Sequence, residues 1–188
     1  RMPRPPSGPR PAAVALLLGL TVALASALAG CGTGGEDRDA GRDATELVRD
    51  GLAAHNAGQL DEAAQLYREA LAVDDGNAHA LYHLGLIAQQ AGDTDRAESL
   101  YRDAVEVEPT FTPALFNLAI LRTEAGDHDE AADLYRRVTE AEPGNAAARL
   151  NLGFVLRDQL GKATMGQAVL DRAVELDPAL AARLTETD

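Results

Sequence analysis

Tyr67, Tyr101 and Tyr135 stand 34 residues apart, and their surroundings move with them. Gly58, Gly92 and Gly126 share the step, as do Ala63, Ala97 and Ala131. Pro109 and Pro143 continue it, and Pro178 follows one residue late. A fixed period in this range is the signature of a stacked array whose units bury their apolar faces only against neighbours. Within each period apolar residues recur at helical spacing, and no stretch alternates with period two. The expectation is an all-α stack of hairpins that offers a surface and has no obvious catalytic cleft.

Local signals divide each period into two helices. Gly58, Gly92 and Gly126 suit the end of a first helix, where a positive φ costs glycine little. Asp61, Asp95 and Asp129 follow near the start of a second helix, where a carboxylate complements the helix dipole. Pro109, Pro143 and Pro178 mark where the second helices stop. Asn77 and Asn145 suit N-caps of the next helix, and Thr112-Pro113 reads as N-cap plus first helical residue. Close packing of antiparallel helices requires small residues at the crossing. Gly51, Gly85, Ala119 and Gly153 are expected to face Ala63, Ala97 and Ala131, with the three tyrosines filling the gap to the following hairpin.

The repeating body divides into 44–77, 78–111, 112–145 and 146–180. The second unit carries Leu81, Leu84, Gly85, Ala88, Gly92, Ala97, Tyr101, Ala104 and Pro109. The third carries Leu115, Leu118, Ala119, Gly126, Ala131, Tyr135 and Pro143, and the first Gly51, Gly58, Ala63, Tyr67 and Ala70. This pattern resembles the tetratricopeptide repeat (TPR) family closely over about four repeats, with Val138 and Asp75 departing from it. The resemblance implies a TPR-like helical-hairpin solenoid, a right-handed superhelix. The fourth unit is atypical. Gly153 to Gly161 spans one residue more than Gly85 to Gly92, which places an insertion late in the first helix or in the turn. Gly166, Leu170 and Arg149 take the places of the crossing Ala, the Tyr and the first Leu. Ala179 to Leu184 reads as a short closing helix within a tail that includes 181–188. This end of the stack is expected to be thinly covered, a place for a partner or a second copy to dock.

The N-terminal segment reads as an address. Arg1 to Pro11 is basic and Pro-rich, and Ala12 to Leu28 carries no charge. That run is long for the apolar core of a secretory signal and short for a spanning helix. Leu28-Ala29-Gly30-Cys31 ends it and resembles the lipobox of bacterial lipoproteins. The resemblance implies that residues 1–30 are a signal peptide and that Cys31 receives a diacylglyceryl thioether and becomes the mature N-terminus, as lipoproteins that also carry palmitate do. Two acyl chains suffice for stable anchoring. Residues 31–43 are polar and Gly-rich after the cysteine and read as a flexible tether. Gly32 supplies no acidic retention signal. The expected location is extracytoplasmic: the outer membrane of a two-membrane cell, or the outer face of the plasma membrane of a one-membrane cell.

Charge narrows the partners. The chain carries −13, and residues 1–30 contain three arginines and no acid, which leaves −16 for residues 31–188. Such a body repels nucleic acid, whose binders cluster Lys and Arg against phosphates. The single cysteine permits no internal disulfide. No nucleophile–base set or phosphate-binding loop is visible, so no catalytic residue, cofactor or metal is assigned and the expectation is not an enzyme. His79 and His83 are i,i+4 on one helix, a spacing able to hold a metal. The plainer expectation is two solvated histidines on a groove wall.

In the resembled family the first helices line a concave face. Carried over position by position, this implies a strip of Val48 and Leu52, Tyr82 and Leu86, Phe116 and Ile120, and Leu150 and Phe154, flanked by Arg49, His83, Asn117 and Asn151. The residues assigned to peptide binding are Tyr82, His83, Leu86, Phe116, Asn117, Ile120, Asn151 and Phe154. Apolar side chains supply affinity, and recurring amides suit a peptide backbone. The Lys-rich pattern of family members that clamp a terminal carboxylate is missing. The expected role is a membrane-anchored protein–protein interaction scaffold or assembly adaptor. Alternatives are a self-associating structural protein of the bacterial cell envelope and a metal carrier using His79 and His83.

Overall fold

The computed structural model describes residues 42–185. Cys31, the signal segment and residues 31–41 of the tether lie outside the described residues. Helices alternate in antiparallel pairs: α1 (Ala44–Asn56) and α2 (Leu60–Val73), α3 (Ala78–Gln90) and α4 (Thr94–Val107), α5 (Thr112–Glu124) and α6 (His128–Ala141), and α7 (Ala146–Phe154) and α8 (Ala163–Leu176). A π-helical turn, Val155–Gln159, extends α7, and α9 (Ala181–Thr185) follows a 3-10 turn at Pro178–Leu180. Among the described residues there is no strand, and no helix is long and apolar enough to cross a membrane. The all-α stack of hairpins expected from the period, with the layout the TPR resemblance implies, is the one observed. Each first helix packs on its own second helix, and each second helix packs on the next first helix.

The caps explain the boundaries. The side chains of Asp43, Asn77, Asp93 and Asn145 accept from the backbone N–H of Glu46, Ala80, Arg96 and Ala148, satisfying donors the helix leaves open. Gly92 takes φ +78° after α3, and the next N–H, Asp93, reaches back to Ala88 O at 2.9 Å. That is a Schellman closure, which needs a left-handed residue. The cap expected at Thr112 is displaced by one residue. Phe111 occupies the N-cap of α5 and makes no side-chain bond there. Thr112 is the first helical residue, and its hydroxyl donates to the Glu142 carboxylate instead. Phe111 stands where Asn77 and Asn145 stand in their repeats, and its ring is buried, so packing replaces capping.

Tyr67, Tyr101 and Tyr135 are at most 2% exposed and form the middle of the stack. A tyrosine so placed buries roughly 150–250 Å². At the crossing the tyrosine ring itself lies against the glycine. A Cβ on Gly51 would meet Tyr67 Cε1 at 2.6 Å, and one on Gly85 would meet Tyr101 Cε1 at 2.5 Å. The glycines are notches for the tyrosine rings. Ala63, Ala97 and Ala131, each 0% exposed, lie inside the core as well.

In the last hairpin the inserted residue is taken up by the π-helical turn, where Leu160 N–H reaches Val155 O at 3.0 Å. Leu170 fills the notch at Gly153, its Cδ2 2.6 Å from where a Cβ would be. Leu150, Leu170 and Ala173 form a terminal cluster against which Leu180 and Leu184 pack, so α9 gives this end a small apolar cover. Hairpins two and three are also tied by charge. Arg122 on α5, 13% exposed, pairs with Glu98 of α4 at 2.5 Å, with Glu130 of α6 at 3.3 Å and with Asp127. Arg102 completes the set, 3.0 Å from Glu98 and 2.7 Å from Glu130.

Candidate functional site

The repeat register brings equivalent positions of α3, α5 and α7 to one face. Tyr82 is half-buried, its ring meeting Phe111 edge-on at 5.5 Å and tilted against Tyr101 at 5.9 Å. Phe116 is half-buried and meets Tyr135 edge-on at 5.7 Å. Leu150, the next residue in register, departs from the expectation. It is fully buried against Leu170 and belongs to the core. Phe154, one turn later, is half-buried, and the Arg157 guanidinium lies 5.3 Å above its ring.

The amides and hydroxyls between these rings form a repeating relay. Tyr101 donates its hydroxyl proton to Gln89 Oε1 at 2.7 Å. Asn117, from the next hairpin, hydrogen-bonds to the hydroxyls of Tyr82 and Tyr101. Asn151 Nδ2 approaches the Tyr135 hydroxyl at 3.4 Å, and the Thr123 side chain also interacts with it. Burial raises the pKa of Tyr82, Tyr101 and Tyr135, partly offset by these amide bonds. The amides expected to face a peptide therefore first satisfy buried phenols, leaving only their remaining hydrogen-bonding capacity to the surface.

Two adjoining clefts open on this face. One of about 320 Å³ is lined by Tyr82, Pro113, Phe116, Asn117, Glu142 and Asn145, with Thr112 and Ala147 at its edge. Hydrogen bonds from Thr112 and Asn145 hold the Glu142 carboxyl below its ordinary pKa, so it is anionic. The second, of about 240 Å³, is lined by Ile120, Thr123, Glu124, Tyr135, Asn151, Phe154 and Val155. Of the eight residues assigned from the sequence, Tyr82, Phe116 and Asn117 meet in the first cleft and Ile120, Asn151 and Phe154 in the second. Leu86 lines neither and packs on the core. Glu142 and Glu124 were not singled out from the sequence, because one more acid in an acidic chain carries no signal until the fold places it.

His83 lies in neither cleft. Its ring stacks on Tyr67 at 5.0 Å and 10°, with His55 edge-on at 6.4 Å. Burial lowers its pKa to about 4, helped by His55 and His79, so it is neutral and not a solvated imidazole. His79 is exposed and turns its ring edge-on to Phe111 at 4.9 Å. Among the described residues no three His, Cys, Asp or Glu side chains gather as a metal site.

Residues 51–179 match the family model of the cilia and flagella-associated protein 70 middle TPR-like domain. No curated protein matches the chain. Among solved structures, a crystal structure of MamA aligns with a TM-score of 0.65 at 19% identity, over 77% of this chain and 84% of that one. MamA AMB-1 aligns at 0.61 and 24% identity, over 81% and 82% of the two chains. The first TPR of Spaghetti (RPAP3), bound to the HSP90 peptide SRMEEVD, aligns at 0.57 and 25% identity, over 62% of this chain and 93% of that one. With its hairpins, notch glycines and tyrosines in register, the chain belongs to the TPR-like family typified by the middle domain of cilia and flagella-associated protein 70.

Proposed function

We infer that this protein is a lipid-anchored interaction module that holds an extended segment of a partner protein along the face made by α3, α5 and α7. The observation that carries this is the pair of adjoining clefts, each combining an aromatic ring, an amide and a carboxylate. Aromatic walls supply affinity, and the free edges of the amides meet backbone groups. Glu142 and Glu124 favour a segment with Lys or Arg near its apolar anchors. A related fold holding an HSP90 peptide supports peptide capture in general. The ligand class differs here, because the equivalent first-helix positions carry His83, Asn117 and Asn151, with no lysine to grip a terminal carboxylate. Cys31, after Leu28-Ala29-Gly30, supports tethering to the extracytoplasmic side of a bacterial membrane, with the Gly-rich segment as spacer. A scaffold or assembly role follows from that combination.

The test is affinity capture of envelope proteins by the immobilised chain, run beside Phe116→Ser, Phe154→Ser and Glu142→Lys variants of equal helicity by circular dichroism. Retention by the parent and loss in all three variants supports the clefts as the docking face. Equal retention by parent and variants moves binding elsewhere. Anchoring is tested separately by fractionating cells that express Cys31→Ala. Labelled palmitate carried by the parent chain and missing from Cys31→Ala supports lipid on Cys31, and a parent chain without label overturns it.

A further inference from the structure

The two clefts are successive stretches of one groove between α5 and α7. The first is lined by Thr112, Pro113, Phe116 and Asn117 at the start of α5 and by Asn145 and Ala147 at the start of α7. The second is lined by Ile120, Thr123 and Glu124 toward the end of α5 and by Asn151, Phe154 and Val155 at the end of α7 and just past it. Both linings advance in the same direction by about seven residues, so the cleft centres stand roughly 10 Å apart along the groove at about 1.5 Å per residue. The charges sit at its two ends. The Glu142 carboxylate takes hydrogen bonds from Thr112, the first residue of α5, and from Asn145, the N-cap of α7. Glu124 is the last residue of α5, where the helix dipole adds to its negative charge. Among the described residues neither carboxylate pairs with a cation. The arginines of α7 and its extension are engaged elsewhere: Arg157 donates to Asp158 at 2.6 Å, and Arg149 to the Pro143 carbonyl. Between these ends the cleft linings carry no charge, and each offers aromatic rings, Tyr82 and Phe116 in the first, Tyr135 and Phe154 in the second.

We propose, on the docking reading given above, that this groove takes a partner segment of the form basic–apolar–x–x–apolar–basic, laid along α5 and α7 in a polyproline-like conformation. Three residues of such a chain span about 9 Å, and residues i and i+3 point to the same side. Two apolar side chains at that spacing match the cleft spacing, so each enters one cleft. The flanking Lys or Arg residues then fall beyond the clefts, one toward Glu142 and one toward Glu124. Glu142 already shares its oxygens with Thr112 and Asn145, so Glu124 contributes the larger part of the charge recognition. A segment with Asp or Glu at its flanks meets like charge at both ends and is rejected.

Fluorescence polarisation of the purified full chain with labelled synthetic peptides tests this register. The reference probe reads Gly-Ser-Lys-Leu-Pro-Pro-Leu-Lys-Ser-Gly with an amidated end. Sister probes set the two leucines adjacent or six residues apart, exchange both lysines for Glu, or exchange one leucine for Ser. The reference probe is expected to bind best. Either other spacing or a lost leucine should weaken binding about tenfold or more, the loss of one buried apolar side chain. Glu flanks should weaken it by at least as much. Glu124→Gln should weaken the reference probe about two- to fivefold, as the loss of one exposed charge pair does, whereas Glu106→Gln on α4 leaves it unchanged. Equal binding at all three spacings, or with Lys and Glu flanks, together with loss in Phe116→Ser and Phe154→Ser, overturns the register and leaves the docking face standing. Binding undiminished in both Phe variants removes the face as the probe's site and overturns the register with it. No binding of any probe also overturns the proposal, and capture of envelope proteins then decides the docking face by itself.

Discussion

Gly166 lies directly against the backbone of Arg157. A Cβ on Gly166 would stand 2.5 Å from the Arg157 amide nitrogen and 2.7 Å from its Cα. The π-helical turn pushes the chain toward α8 at this point, and glycine replaces the alanine of the other crossings because nothing larger fits. Gly166→Ala is therefore expected to cost about 2–3 kcal/mol as overpacking. Gly85→Ala should cost less, because its obstacle is a side-chain ring and not backbone, and the third repeat carries alanine, Ala119, at the same place in the 34-residue step. Urea unfolding midpoints check the order, and equal costs would remove the backbone approach as the reason for glycine at 166.

A second prediction separates conformation from packing. Gly92 has φ +78°, and a Cβ there would meet nothing within 4 Å. Any cost of Gly92→Ala is then purely the left-handed backbone, about 1–2 kcal/mol. Gly144, which also has open space but no positive φ, should tolerate alanine at no cost. Thermal unfolding of the two variants side by side tests this, with a lowered melting temperature expected only for Gly92→Ala.

All four tyrosines of the chain are held protonated by burial. Tyr67 is pushed up to about 12 from the ordinary 10.0, and Tyr82, Tyr101 and Tyr135 are raised as well. A folded pKa above the unfolded one contributes stability that is whole below pH 10 and lost as pH rises through the folded values. At about pH 10.5 the folded chain should show little tyrosinate absorbance, and the urea-unfolded chain should show more than half of its total. Stability should fall from pH 9 upward. A tyrosinate titration near 10 in the folded chain would contradict the buried relay.

The architecture was legible because the 34-residue step survives in Gly, Ala, Tyr and Pro together, and those residues set helix ends and crossings directly. Single-residue details were less so. Phe111 fills an N-cap place because its ring pays in packing what asparagine supplies in hydrogen bonds, a trade that no local pattern reveals. Leu150 shares its register with Tyr82 and Phe116, yet Leu170 in place of tyrosine draws it into the core. The tyrosines line the glycine notches, because the ring reaches across the crossing. The extra residue before Gly161 was visible, but helix and turn can each absorb one residue, and only the approach to Gly166 locates it in a π-helical turn. His79 and His83 stood out as sequence neighbours. The ring that approaches His83 from α1, that of His55, appears only when the first hairpin is laid over those carrying Gln89 and Thr123. The two clefts were half-legible: their rings and amides recur, and their carboxylates do not.

Arg122 carries the last prediction. It is 13% exposed, and its guanidinium reaches acids on α4, α6 and the turn before α6, so it links two hairpins through one fork. An isolated surface pair contributes little, but a shielded cation shared by several carboxylates contributes more, because each loses a charge-assisted bond when it goes. Arg122→Met keeps the stem and removes the fork, and is expected to cost about 1–3 kcal/mol. Arg122→Lys should recover only part of this, since a point charge cannot address three carboxylates at once. Arg136→Met, whose partner Asp133 is 68% exposed, should be near neutral. Chemical unfolding at low and at 1 M salt checks all three, with salt narrowing the gap between Arg122 and Arg122→Met. A loss at Arg122 no larger than at Arg136 would reduce the network to surface decoration.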